Sequence, residues 1–282
     1  MYRQLIGLAP IYKNHILNIQ MEVIFMNMEI VQICDIALAV KFALKTKTNI
    51  KYFPFEYERN IEFLFSKNKI DFLEKNYKAG NIEEWFDYCL NLGLEDIKIL
   101  LPVSSKNLNI PNDLNSNKIK LICYFKNNLI LYFTPKWKKT SGGWNVIYTA
   151  HKYENSINEK LKFYDNTEDF KNVLSKIAIL ADKINFSNFG NIFRKAFNIL
   201  NGESFENIRN TFYGQTLFKI PEINARLFYS AKISNVFGGM GSWNDSPPYY
   251  AHEKGLESEY DSLTEELLTQ IRLALLYSVN EW

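Results

Sequence analysis

The chain has 282 residues, 47% of them hydrophobic and 15% aromatic, and a formal net charge of +2. Such apolar content excludes global disorder, and the length predicts one large or two smaller domains. A charge so near balance offers no whole-chain argument for binding nucleic acid or a membrane surface.

Lysines outnumber arginines 27 to 6, and asparagine and isoleucine are abundant, as in AT-rich coding, so raw lysine counts are discounted. Cys34, Cys89 and Cys123 are odd in number and form no CxxC. Neither a disulfide framework nor a zinc ribbon is indicated, and a reducing cytoplasm is the expected location. The start of the chain lacks the sustained apolar core and cleavage site of a secretory signal. Its most apolar window, Ile30 to Leu44, is broken by Asp35 and Lys41 and is too short to span a bilayer, so no membrane partner is expected. Methionines at 1, 21, 26 and 28 offer alternative starts, Met28 among them, and residues 1–27 are expected to be a loosely attached extension.

Met28 to Lys45 reads as a helix, with Ile30, Ile33, Cys34, Ala37, Leu38 and Phe42 on one side. After Tyr52-Phe-Pro-Phe55, helical spacing resumes from Glu56 to Asn76 through Ile61, Phe65, Phe72 and Leu73. Ile82 to Leu92 is another helix, with Trp85, Phe86 and Cys89 inward and Gly93 as its stop. Leu94 to Leu101 is a short helix or strand, and Ser104 to Asn117 a polar loop. Lys118–Phe125 and Leu129–Phe133 are dense in β-branched and aromatic residues, and Asn127-Asn128 between them tolerates positive φ, a hairpin signal. A loop over Thr134–Gly143, a strand over Trp144–Tyr153 and a short fourth strand over Leu161–Tyr164 complete a small antiparallel meander at 118–165. Asp165 to Asp169 supplies cap residues and first-turn acids for a helix carrying Phe170, Val173, Leu174, Ile177, Ala181 and Ile184. Ser187 opens the next helix, which runs to Gly202. Phe205 to Phe218 is ambiguous. Pro221 opens a helix to Phe237, and Tyr260 to Asn280 is the last.

The most distinctive stretch joins those final two helices: Val236-Phe-Gly-Gly-Met240-Gly-Ser-Trp-Asn-Asp245. Gly238 falls where a left-handed helix cap is expected, Gly239 and Gly241 free the backbone to turn, and Asn244 and Asp245 bond readily to their own backbone. Pro247-Pro248 then blocks immediate resumption of a helix. A phosphate cradle is rejected. The run lacks a Gly-Lys-Ser/Thr ending and the last glycine of a dinucleotide fingerprint. It also follows a helix, whose C-terminal end repels anions. A tight connection with Trp243 folded onto the core is one reading, and a site built on Gly239, Gly241, Trp243, Asn244 and Asp245 the other.

Phe237 to Asp245 resembles the FGGMGSWND run of a family of bacterial proteins of unknown function near toxin–immunity systems. The resemblance covers roughly the last sixty residues. It implies a protein partner, a toxin, and supplies no reaction. The roughly 200 residues before it are long enough for a domain of different activity.

Charge is uneven. Lys118 to Lys152 holds seven lysines and no acid, whereas Gly241 to Trp282 holds eight acids against Lys254 and Arg272. The two regions either face each other or are solvated faces. Asp245, His252, Glu253 and Glu257 are the one compact set of metal-type ligands, and they suit Mg²⁺ or Mn²⁺ better than structural zinc. Gly255 weakens the helical spacing of Glu253 and Glu257, and no fixed metal motif is present. Nucleophilic catalysis finds no histidine placed beside a nucleophile and no G-x-S-x-G elbow. Tyr132, Phe133, Trp137, Trp144 and Tyr148 among lysines could bind a single strand, although Phe133 and Tyr148 also suit a core and no arginine accompanies them.

These readings predict an α+β chain, mostly helical with a small central antiparallel meander. Residues 28–202 would form one body and 203–282 a C-terminal helical unit. The expected function is a cytoplasmic protein-binding protein without catalytic activity or cofactor, an immunity-type inhibitor of a toxin. Its binding residues would be Gly239, Gly241, Trp243, Asn244, Asp245, Glu253 and Glu257. An acidic surface there would speed encounter with a basic partner. The alternatives are a metal-dependent enzyme at Asp245 and a nucleic-acid module on the meander.

Overall fold

A computed structural model describes residues 10–70, 75–103, 110–111, 114, 117–154, 160–205 and 220–282; of 10–27 and 127 it describes the backbone alone. Seven helices and a six-stranded sheet are present among them, so the chain is α+β. In chain order these are α1 (Pro10–Thr46), β1 (Glu58–Phe65), β2 (Tyr77–Ala79), α2 (Ile82–Asn91), β3 (Leu94–Leu100), β4 (Lys120–Phe125), β5 (Ile130–Thr140), β6 (Gly143–Lys152), α3 (Thr167–Lys183), α4 (Ser187–Leu200), α5 (Glu222–Ser234), α6 (Pro247–Glu253) and α7 (Glu257–Asn280). No helix of the described residues is long and apolar enough to cross a membrane.

The sheet order is β2-β1-β6-β5-β4-β3. Neighbours are antiparallel except β1 and β6, which run parallel with Phe63 opposite Tyr148. Register puts Ile61, Phe63, Phe65, Val146, Tyr148, Phe133, Leu121 and Ile99 on one face, and all are buried. Phe63 stacks on Trp85 of α2 at 4.2 Å and on Tyr148 at 4.9 Å. The Tyr148 hydroxyl donates to Gln32 Oε1 of α1 at 2.8 Å, so α1 and α2 cover this same face. From Ile30 to Ala43, α1 is buried almost all round, the pattern of a helix enclosed by other elements. It packs against β3 and α7, and Lys232 of α5 reaches its Asp35. The opposite sheet face is buried at Lys120, Ile122 and Tyr124 but half-open across β5, β6 and β1.

β3 is an edge strand, and the end of α7 closes it. Asn280 Oδ1 accepts from Ile99 N–H at 2.8 Å, and Asn280 Nδ2 donates to Ile99 C=O at 3.0 Å. One amide side chain thus stands in for a neighbouring strand, which blunts an edge that would otherwise invite pairing. Lys41 Nζ donates to the Asn280 carbonyl at 3.0 Å and ties α1 to the same point. Asn280→Ala strands both Ile99 groups in a buried place, so a loss of about 2–3 kcal/mol is expected in urea unfolding. Accelerated hydrogen exchange at the Ile99 amide should accompany it. A parent-like midpoint would show that α7 does not seal the edge.

Several expectations are corrected. The predicted helix at 56–76 is instead strand β1 and the approach to β2, with Phe72 and Leu73 outside the described residues. Ile61, Phe63 and Phe65 alternate, and parallel pairing with β6, about 85 positions away in sequence, decides between the two periods. β5 runs through the predicted 134–143 loop to Thr140, because its register with β6 continues to Lys139 opposite Trp144. Leu161–Tyr164 forms no strand. The meander is therefore part of a larger mixed sheet, with β1 inserted beside β6. The remaining helices hold, with α7 starting three residues earlier than expected. Gly93 (φ +87°) ends α2 as expected, and Asn128 (φ +60°) turns the β4–β5 hairpin. The backbone of α1 continues unbroken across the boundary expected at residue 28. The expected loop at 104–117 and the segment 206–218 lie largely outside the described residues.

Candidate functional site

α5 ends at Ser234, earlier than expected, and Asn235 follows it in a non-helical conformation. Gly238 is not left-handed; in this run the positive φ falls on Gly241, at +82°. The loop is closed from within. Trp243 N–H donates to Val236 C=O at 3.0 Å and Ser242 N–H to Gly239 C=O at 3.1 Å. Asn244 Oδ1 accepts from Gly238 N–H at 3.1 Å and from Ser242 Oγ at 2.8 Å. Asp245 Oδ2 accepts from Gly241 N–H at 2.8 Å. Both polar side chains thus hold the backbone of their own loop, the Asx chemistry their types favour. Pro247 and Pro248 begin α6 rather than delaying a helix, since proline fits the first turn, where its missing N–H is not needed.

Trp243 is fully buried. Phe189 and Phe193 of α4 meet its ring edge-on at 5.4 Å each, and Tyr260 of α7 stacks on it at 5.2 Å. Its indole Nε1 donates to Thr264 Oγ1 at 2.9 Å, and the Tyr260 hydroxyl donates back to the Trp243 carbonyl at 2.7 Å. The ring lies against the final helix, α7. Burial pushes the Tyr260 phenol far up, so that hydroxyl stays a donor.

With the loop pinned, its tip projects. Met240 is 92% exposed, and Tyr249 of α6 is 60% exposed. Around this corner Glu253, Glu257, Asp261 and Glu265 are exposed. His252 Nδ1 lies 3.0 Å from Glu257 Oε2, which raises the imidazole pKa and favours its charged form. Of the seven residues singled out from sequence, Trp243 is an internal anchor. Gly239, Gly241, Asn244 and Asp245 shape the loop, and Glu253 and Glu257 face solvent. Met240 and Tyr249 were missed; the signal available was Met240's place between two glycines at a turn.

The other two candidate chemistries have these surroundings. Among the described residues no group of three or more His, Cys, Asp or Glu side chains could hold a metal ion. On the sheet, Phe133 and Tyr148 are core, and Trp137 packs edge-on against Trp144. Tyr132 stacks on His151 at 4.9 Å, with Lys120 Nζ 5.2 Å from its ring centre. The C-terminal acids pair with Lys98, Lys183 and His252. Cys34, Cys89 and Cys123 are buried free thiols, raised by burial and so unreactive. No family model matches the chain, and no curated protein and no solved structure is similar to it.

Proposed function

We propose that the chain is a protein-binding protein, an immunity-type inhibitor of a bacterial toxin, and that it meets a basic partner with the corner formed by the glycine loop, α6 and the start of α7. One observation carries this reading: a loop fixed by a buried tryptophan and five internal hydrogen bonds holds a single methionine out in solvent. A rigid loop loses little entropy on binding, and an exposed methionine adapts to an apolar pocket. Tyr249 adds an aromatic anchor of the type enriched at binding hot spots. The acids around them would steer a basic protein to the corner and speed its approach. The likeness of Phe237–Asp245 to a run found near toxin–immunity systems supports the same class. The metal-enzyme reading at Asp245 is the weaker one, because that carboxylate is committed to the Gly241 amide.

A photo-crosslinking residue at position 240, expressed in the native host, is expected to capture one basic protein. The same residue at Tyr164, exposed to 73% in a different part of the fold, should not. Replacing the exposed Glu253 and Asp261 by lysine should slow association and leave melting within about 1 kcal/mol of the parent, as for two ordinary surface changes. Identical adducts at both positions, or none at 240, would remove the corner from consideration.

A further inference from the structure

A second site lies away from that corner, on the sheet. β4 begins at Lys120, whereas β5 runs on to Thr140 paired only with β6 on its other side. Beside the part of β5 that outruns β4 is a cleft of about 430 Å³. That volume falls within the range of small-molecule sites, roughly 300–1,000 Å³. Lys69, Lys118, Lys136 and His151 line it, together with the hydroxyls of Thr134 and Thr149. Register brings the two threonines directly opposite each other, and puts Tyr132 opposite His151 on the same face. His151 Nε2 lies 3.1 Å from Thr134 Oγ1. Burial first, then the positive charges of Lys69, Lys120 and Lys118, lower the His151 pKa, so the imidazole is neutral near pH 7. Those lysines therefore act on one point. The carboxyl lining the cleft, Glu29, is raised to about 7 by burial and opposes an anion only in part at neutral pH.

Three ammonium groups, two hydroxyls and an imidazole suit a compact, multiply charged oxyanion. Lysine serves phosphate as a mobile point charge, and hydroxyls and a neutral imidazole complete its hydrogen bonds. Strand binding needs open aromatic faces. Here Tyr132, beside the cleft, is engaged with His151 and Lys120, and Trp137 and Trp144 lie on the other face of the sheet.

We propose that this cleft is a binding site for a small phosphate-bearing molecule, held by Lys69, Lys118 and Lys136 with Thr134, Thr149 and His151. It does not depend on the partner-binding reading.

Calorimetry on the purified full chain tests it, with inorganic pyrophosphate, sulfate at matched ionic strength, and a single-stranded oligothymidine as separate probes. Saturable one-to-one pyrophosphate binding is expected, weakened about tenfold in each of Lys69→Glu and Lys136→Glu, the scale of losing one charged contact. Lys138→Glu makes the same charge change on the same strand but outside the lining of the cleft, and should bind like the parent. Met240→Ala should also bind like the parent, which separates this site from the partner corner. Melting curves confirm that each variant is folded. Absence of saturable binding, equal affinity for sulfate, or equal weakening by Lys138→Glu would overturn the proposal. Tighter, steeply salt-dependent binding of the oligonucleotide would replace it with single-strand binding.

Discussion

Trp243→Ala is expected to lose roughly 3–5 kcal/mol of folding stability, the range for deleting a large aromatic side chain from a packed core. The ring is fully buried, and its neighbours come from two separate helices, Phe189 and Phe193 on α4 and Tyr260 on α7. Neither helix can close the void without moving the other. The truncation also strands Thr264 Oγ1, which accepts from the indole. Trp243→Phe keeps much of the ring and should lose less. Asp245→Ala, which removes one hydrogen bond to Gly241, should cost about 1 kcal/mol. Denaturant midpoints for the three variants give the comparison. If Trp243→Ala unfolds within 1 kcal/mol of the parent while Asp245→Ala collapses, the loop is anchored by its carboxylate and not by its ring.

The second large effect lies between α1 and α5. Lys232 Nζ is 4.0 Å from Asp35 Oδ1, with side chains only 7% and 14% exposed. A cavity of about 160 Å³ adjoins them, lined by Cys34, Phe228, Asn235 and Leu275 among others. Removing one partner of an enclosed pair leaves the other charge uncompensated, so Asp35→Ala is expected to cost about 3–5 kcal/mol. Lys232→Met should also destabilise, and the double variant Asp35→Leu with Lys232→Met should recover most of the loss, since apolar replacements of buried pairs are often neutral or better. A double variant as unstable as the sum of the singles would show that the two groups are not coupled. Burial lowers the Lys232 pKa from 10.5 to about 8, against the partial support of Asp35. Between those values the unfolded chain carries a proton that the native chain has shed. Its contribution to stability therefore rises with pH from about 8 to 10.5, and below 8 the full cost of burying the ammonium is felt. Burial raises the Asp35 carboxyl, so its contribution falls as pH rises from 3.8 toward its folded value. Lys232→Met should flatten the alkaline part of the stability profile.

The two sites were unequally visible in the sequence. The glycine run announced itself, because three glycines and two Asx-type residues in ten positions have local reasons to occur together. Local chemistry also explains why Asn244 and Asp245 point back into the loop, an outcome compatible with either sequence reading. The place of Met240 between two glycines marked it as a turn residue, but that it projects was decided by the fold, where Trp243 is held by α4 and α7. The lysine cleft was half legible. Lys118 and Lys136 belong to the acid-free stretch, but Lys69 sits in a segment read as helix, and Thr149 carries no signal of its own.

The sequence by itself determined what depends on near neighbours: the α+β class, six of the seven helices from their 3.6-residue faces, the stop at Gly93 and the turn at Asn127-Asn128. Tertiary structure alone decided what depends on distant partners. Residues 58–65 carry apolar side chains compatible with both periods, and pairing with β6 made them a strand. β5 extends through Pro135 and the lysines at 136, 138 and 139 because β6 lies beside it, not because of its composition. Asn280, Lys41 and Lys232 are polar residues in helices whose burial becomes favourable only when Ile99, Asp96 and Asp35 arrive from elsewhere in the chain. A polar group enters a core only with its partner, and the partner's identity is a property of the fold rather than of any local window.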